Sequence, residues 1–331
     1  MLKTRMTQLF GIQHPIMQGG MQHLGVARFA SCVSNAGGLG TINISCFSTV
    51  EAFQNELKLM QELTDKPFAV NFSFLPEISL GEQQRIWKMV ELCAAERVPV
   101  IETAGGDPSA YLQTFHDAGC KVIHKAPSLK IAKRMEEKGV DAVSIIGYEV
   151  AGHPSMDGIG TIVMANRVAS ELRIPVLAAG GIADGKGLLA ALALGCEGVV
   201  MGTRFVATRE CLISQVHKEW IVEHGERDSL LIMKSIRNMV RAANNRAAQT
   251  CLEMERRGAT LEELMTVISG AIGRKCYESG DVDGGIFCVG PAIGLIHEVI
   301  TVRALIEGMV AEAESGISRI QTMVNGGASC V

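Results

Sequence analysis

Over the first two-thirds of the chain, short apolar runs alternate with stretches whose apolar residues recur at helical spacing. The runs are His14–Gln18, Gly40–Ile44, Phe68–Phe72, Val98–Thr103, Lys121–Lys125, Ala142–Ile146, Pro175–Ala179 and Gly198–Met201. They are rich in Val and Ile, and several are apolar on both faces, as strands of a sheet covered on both sides must be. Between them the spacing predicts helices over Ala27–Ala36, Val50–Leu63, Glu82–Ala95, Pro108–Ala118, Leu129–Lys138, Thr161–Leu172 and Gly185–Leu194. Most of these begin after Ser, Thr, Asp or Pro and stop before Gly, which is the chemistry of helix caps.

Eight strands, each followed by a helix, predict a closed (β/α)8 TIM barrel within the α/β class. A doubly wound sheet would instead call for G-x-G-x-x-G after the first strand, and Gln18-Gly19-Gly20-Met21-Gln22 does not supply it. After Thr203 the period changes. Residues 212–287 read as helical, charged and without strand signal, with helices expected over His217–Glu223, Ile232–Met254 and Leu261–Ile268. They predict a helical lid subdomain inserted into a barrel made of residues 1–211 and 288–331, with a closing helix over Ala292–Ser315.

Composition narrows the function classes. Among 331 residues, 47% are hydrophobic, and 31 Lys and Arg against 35 Asp and Glu leave a formal charge of -4. That balance argues against nucleic-acid binding, which draws on a basic excess, and against a polybasic membrane surface. No run is long and apolar enough for a membrane span or a signal-peptide core. The 10 cysteines are scattered without a C-x-x-C pair, so free thiols in a cytoplasmic protein are the simplest reading. Zincin, serine-hydrolase, Walker A and EF-hand patterns are absent from the sequence, so a small-molecule substrate and no metal are expected.

In a barrel, chemistry collects at the C-terminal strand ends. Gly180-Gly181 and Gly202-Thr203 end the seventh and eighth strands, where bare backbone N–H groups can approach a phosphate, helped by the following helix N-terminus. Lys125 ends an otherwise apolar strand and calls for an anion or an electron-rich ring nearby, or else a route to solvent. His153, between Gly152 and Pro154, would present an imidazole at the mouth as hydrogen-bond donor or base, though a structural role is the common fate of a lone histidine. Tyr148 and Glu149 are weaker candidates, and Glu149 could serve to orient the loop.

Taken together, Pro15-Ile16-Met17-Gln18-Gly19-Gly20-Met21, Ala36-Gly37-Gly38-Leu39-Gly40, Lys66-Pro67-Phe68-Ala69-Val70-Asn71, Ala151-Gly152-His153, Ala179-Gly180-Gly181-Ile182-Ala183-Asp184-Gly185 and Met201-Gly202-Thr203-Arg204-Phe205 resemble the nitronate monooxygenase (2-nitropropane dioxygenase-like) superfamily. The resemblance runs from about Lys3 to Gly294 and implies a TIM barrel with a helical lid and one non-covalent FMN. Glu102-Thr103-Ala104-Gly105, Val122-Ile123-His124-Lys125 and Ala207-Thr208-Arg209-Glu210-Cys211 look most like the bacterial NADH:quinone reductase branch. Gly280-Asp281-Val282-Asp283-Gly284-Gly285 also occurs in flavin-type enoyl-acyl carrier protein reductases, which generally lack the equivalent of Lys125. After Leu75-Pro76 the chain reads Glu77-Ile78-Ser79-Leu80-Gly81, unlike the gating loop of the quinone reductases.

By that resemblance Gly20, Met21, Ser73 and Gly152 match flavin contacts, and Lys125 approaches the ring. Ala179, Gly180 and Gly181, with Met201, Gly202 and Thr203, match the phosphate and ribityl cradle, and His153 matches the histidine above the reactive face. His153 and Lys125 are therefore the expected catalytic residues. The activity implied is reduction of a quinone-like or conjugated acceptor by NADH or NADPH. Nitronate monooxygenation with O2, enoyl-thioester reduction and a non-catalytic FMN-binding protein remain as alternatives, and a homodimer is left open.

Overall fold

The computed structural model describes residues 2–74 and 79–326, so part of the divergent loop, Leu75–Ile78, lies outside the described residues. The elements follow in chain order: α1 (Arg5–Phe10), β1 (Ile16–Gln18), α2 (Ala27–Asn35), β2 (Gly40–Asn43), α3 (Val50–Leu63), β3 (Phe68–Phe74), α4 (Leu80–Ala95), β4 (Val100–Gly105), α5 (Ser109–Asp117), β5 (Lys121–Ala126), α6 (Leu129–Glu137) and β6 (Ala142–Ile146). Then come α7 (Thr161–Ala169), β7 (Val176–Ala179), α8 (Gly185–Ala193), β8 (Gly198–Met201) and the one-turn α9 (Thr203–Val206). Beyond it lie α10 (Gln215–Glu223), β9 (Ser229–Ile232), β10 (Val240–Ala243), α11 (Arg246–Arg256), α12 (Leu261–Ile268), α13 (Gly270–Ser279) and α14 (Val302–Gly326).

The first eight strands form one parallel sheet in the order β1-β8-β7-β6-β5-β4-β3-β2. The ring closes between β1 and β2, where Gln18 N donates to Leu39 O (2.9 Å) and Leu39 N to Ile16 O (2.9 Å). This is the expected (β/α)8 barrel. Because successive residues of a strand face opposite sides, the barrel separates two cores. Ile16, Val70, Ile101, Val122, Val143, Ile145 and Val199 pack outward on the helices. Met17, Leu39, Ala69, Val100, Ile123, Ala142, Leu177 and Val200 fill the interior.

The sequence reading missed α1, which plugs the barrel. Met6 and Phe10 join the interior cluster, and Thr4 caps the helix while its hydroxyl donates to Glu197 O at 2.6 Å. Gly198 leaves the room this needs, since a Cβ there would overlap the Met6 sulfur and stand 2.8 Å from Pro15 O.

Beyond β8 the expectation of an all-helical segment fails. Residues 229–232 and 240–243 form an antiparallel hairpin, and of the expected Ile232–Met254 helix only residues 246–254 are helical, in α11. Asn245 caps α11 by accepting from Ala248 N (2.9 Å), and Asn244-Asn245 was the stop signal that could have divided this stretch. The closing helix also differs. Pro291–Leu295 make a short 3-10 turn and α14 begins at Val302, because Ile300 first pairs with Thr208 as an isolated bridge.

Candidate active site

The interior-facing residues two places further along β3, β4, β5 and β6 from Ala69, Val100, Ile123 and Ala142 are Asn71, Glu102, Lys125 and Ser144. The same period-2 rule that fills the barrel with apolar side chains therefore lays a polar layer above them, toward the C-terminal mouth. Glu102 is fully buried. Its Oε2 accepts from Gly20 N at 3.0 Å and from Asn71 Nδ2 at 2.6 Å. Its Oε1 stands 3.1 Å from Lys125 Nζ, whose side chain is 21% exposed and so reaches the mouth. Oε1 has no aligned hydrogen-bond donor, so the attraction between the two is Coulombic. The anion that Lys125 called for is thus supplied by the protein itself. Sequence reasoning passed over Glu102, although an acidic residue ending the apolar run Val100-Ile101 next to a strand-end lysine was the available signal. Ser144, opposite Lys125 across the β5–β6 ladder, keeps a buried Oγ without a partner.

Gly20 is explained by this layer: a Cβ there would stand 2.6 Å from Asn71 Cβ. Met21 is half-buried, and its sulfur lies 3.9 Å from where a Cβ on Gly202 would sit. The ends of β1 and β8 therefore meet across Gly19 N, which donates to Met201 O at 3.0 Å. Met201 itself points into the outer core, leaving only its backbone near the mouth. Ala179 is buried in the interior cluster. Ser73 is exposed on the rim, with its Oγ 3.4 Å from Asn71 Oδ1.

Gly180 and Gly181 both adopt positive φ (105° and 73°). A Cβ at Gly180 would come 2.8 Å from Val150 N, so the β7 turn is packed tightly under the β6 loop. Thr161 and Glu149 hold that junction. The Glu149 carboxylate accepts from Thr161 N and Oγ1, both at 2.8 Å, and Thr161 Oγ1 also reaches Gly180 O at 3.0 Å. The orienting role expected of Glu149 is the one its contacts describe. Thr203 Oγ1 accepts from Gly290 N at 3.1 Å, tying the β8 turn to the segment before α14.

One expectation needs correcting. The N-terminus of α8 is not open to an anion, because Asp184 accepts from Gly187 N (2.8 Å) and Glu312 from Gly185 N (2.8 Å). Two carboxylates already satisfy the amides a phosphate would need, and would repel it.

His153 is exposed, midway along the loop of residues 147–160 that joins β6 to α7. Its ring nonetheless has its pKa lowered from 6.5, because the surrounding protein partly desolvates it and disfavours the charged form. It is therefore neutral at pH 7. Gly152, at φ 73°, has nothing within 4 Å of a built Cβ, and Gly202 only the Met21 sulfur at 3.9 Å. These two glycines face open space, unlike Gly20 and Gly180.

The rim thus carries two glycine turns, a lysine reaching out of a buried ion pair and a histidine on the loop after β6. A nitronate monooxygenase family model matches residues 3–312. A probable nitronate monooxygenase of Staphylococcus saprophyticus is 32% identical over 268 residues, 70% of this chain and 75% of that protein. The Rhodococcus jostii (3aS,4S,5R,7aS)-5-hydroxy-7a-methyl-1-oxo-octahydro-1H-indene-4-carboxyl-CoA dehydrogenase is 30% identical over 358 residues, 97% of this chain and 98% of that one. The solved structure of FabK from Thermotoga maritima superposes with a TM-score of 0.90 at 35% identity, covering 98% of this chain and 100% of that one. The chain belongs to the nitronate monooxygenase family of FMN-dependent oxidoreductases.

Proposed function

We propose that the protein uses FMN to pass electrons from NADH or NADPH to a neutral conjugated carbonyl acceptor, either quinone-like or an unsaturated acyl thioester. FMN, when bound, supplies the two-electron chemistry. The residues present fit it: the open faces of Gly152 and Gly202 leave room for close backbone approach, and the Gly180–Gly181 and Gly202–Thr203 turns would hold its phosphate. Lys125 would face the ring from the polar layer.

The observation that carries the choice of acceptor is the charge balance of the mouth. Lys125 is paired with the buried Glu102, and His153 is neutral at pH 7. Such a mouth offers little net positive charge to draw in an anionic nitronate, whereas a neutral imidazole N–H can hydrogen-bond a carbonyl oxygen and polarise it. The likeness to the Rhodococcus jostii dehydrogenase over nearly both chains adds support for an acyl thioester.

Anaerobic mixing tests the proposal. NADH or NADPH is expected to bleach the flavin absorbance, and crotonyl-CoA or a soluble benzoquinone to restore it. Oxygen uptake with alkyl nitronates, together with no bleaching by either nucleotide, selects nitronate monooxygenation instead.

A further inference from the structure

The loop that carries His153, residues 147–160, is held at its base and again near its middle, by different parts of the molecule. At the base, Gly147 N donates to Ala179 O of β7 at 2.9 Å, and Tyr148 N closes the neck of the loop on Ile159 O at 2.9 Å. Near the middle, Gly152 and Arg241 of β10 exchange both backbone hydrogen bonds, Gly152 N to Arg241 O at 3.0 Å and Arg241 N to Gly152 O at 2.6 Å. The Arg241 side chain then reaches back along the loop. Its Nε and Nη2 donate to Tyr148 O at 3.2 and 2.9 Å, and the guanidinium carbon lies 4.9 Å from the Tyr148 ring centroid.

Arg241 is only 7% exposed, so this grip is made by a desolvated cation directed at a carbonyl and a ring rather than at a carboxylate. A buried arginine is costly where an aliphatic side chain would fill the space, and the geometry of a planar fork closing on one carbonyl is specific to it.

We propose that Arg241 is a positioning residue for His153: the hairpin that follows the barrel, through this grip, holds the imidazole over the mouth. The inference rests on His153 being the residue that meets the acceptor, and it makes the placement of that imidazole a property of the hairpin as much as of the barrel.

The test is the NMR titration of the His153 imidazole in FMN-loaded protein, assigned with His153→Gln. In Arg241→Met the backbone pairing can persist but the grip is gone, and the His153 titration is expected to rise toward its ordinary value as the loop loosens and the protein around the ring withdraws from it. Flavin content should be unchanged, while kcat for reoxidation by crotonyl-CoA or benzoquinone falls about tenfold. Arg241→Lys, which keeps the charge but can make one bond to Tyr148 O, should move both readouts less. A folded Arg241→Met with wild-type titration overturns the proposal, and should that variant not fold, a folded Arg241→Lys with wild-type titration does so. The titration needs no substrate, so it decides the role of Arg241 even if both acceptors prove inert.

Discussion

Glu102 and Lys125 occupy neighbouring strands two residues out of register, Glu102 opposite Ile123 and Lys125 opposite Ala104, so that the carboxylate lies wholly inside the barrel and the ammonium at its opening. The pair is asymmetric: its negative end is dry and its positive end faces the mouth.

That asymmetry predicts unequal single variants. Lys125→Met strands a buried carboxylate and should cost about 3–5 kcal/mol in chemical denaturation, whereas the double variant Glu102→Gln/Lys125→Met should recover a large part of the loss. Additive losses would mean that the two groups do not interact.

Glu102→Gln alone leaves Lys125 uncompensated at the mouth. Binding of small anions, read by flavin absorbance on titration with sulfite, should tighten about tenfold, equivalent to about 1.4 kcal/mol. Unchanged anion affinity would remove the charge-balance argument for a neutral acceptor.

FMN retention should separate the two candidate anion sites. Gly202→Val places a side chain in open space that the protein itself tolerates, and the purified variant should fold but lose its flavin spectrum. Asp184→Ala removes the cap of α8, lowering stability by about 1 kcal/mol while leaving flavin content intact.

Acid should destabilise the fold well above the range where carboxylates titrate. His124 and His217 are each 1% exposed, and burial holds both pKa values down to about 4 from 6.5. Unfolded, both take up protons as pH falls below 6.5; folded, they do so only near 4. Stability is therefore retained above pH 6.5 and lost between about 6.5 and 4, with a slope approaching about 2–3 kcal/mol per pH unit when both contribute. Urea midpoints measured across that window check it, and a flat profile would contradict the burial of these imidazoles.

The order of strands and helices, the barrel and the two glycine turns could be read from the chain because they rest on local rules: period-2 and period-3.6 patterning, caps and glycine stops act within a few residues. The same rules failed at α1 and at the β9–β10 hairpin, where Leu230, Leu231 and Ile232 form an apolar run too short for its spacing to tell strand from helix without the partner strand. What only the tertiary structure decided were pairings far apart in sequence. Glu102 meets Gly20, Asn71 and Lys125 only because barrel closure and register bring four strand ends together. Arg241 grips Tyr148 from 93 residues away. Electrostatics depends on distance in space, and a carboxylate ending one strand says nothing by itself about which cation the closing of the barrel will set beside it.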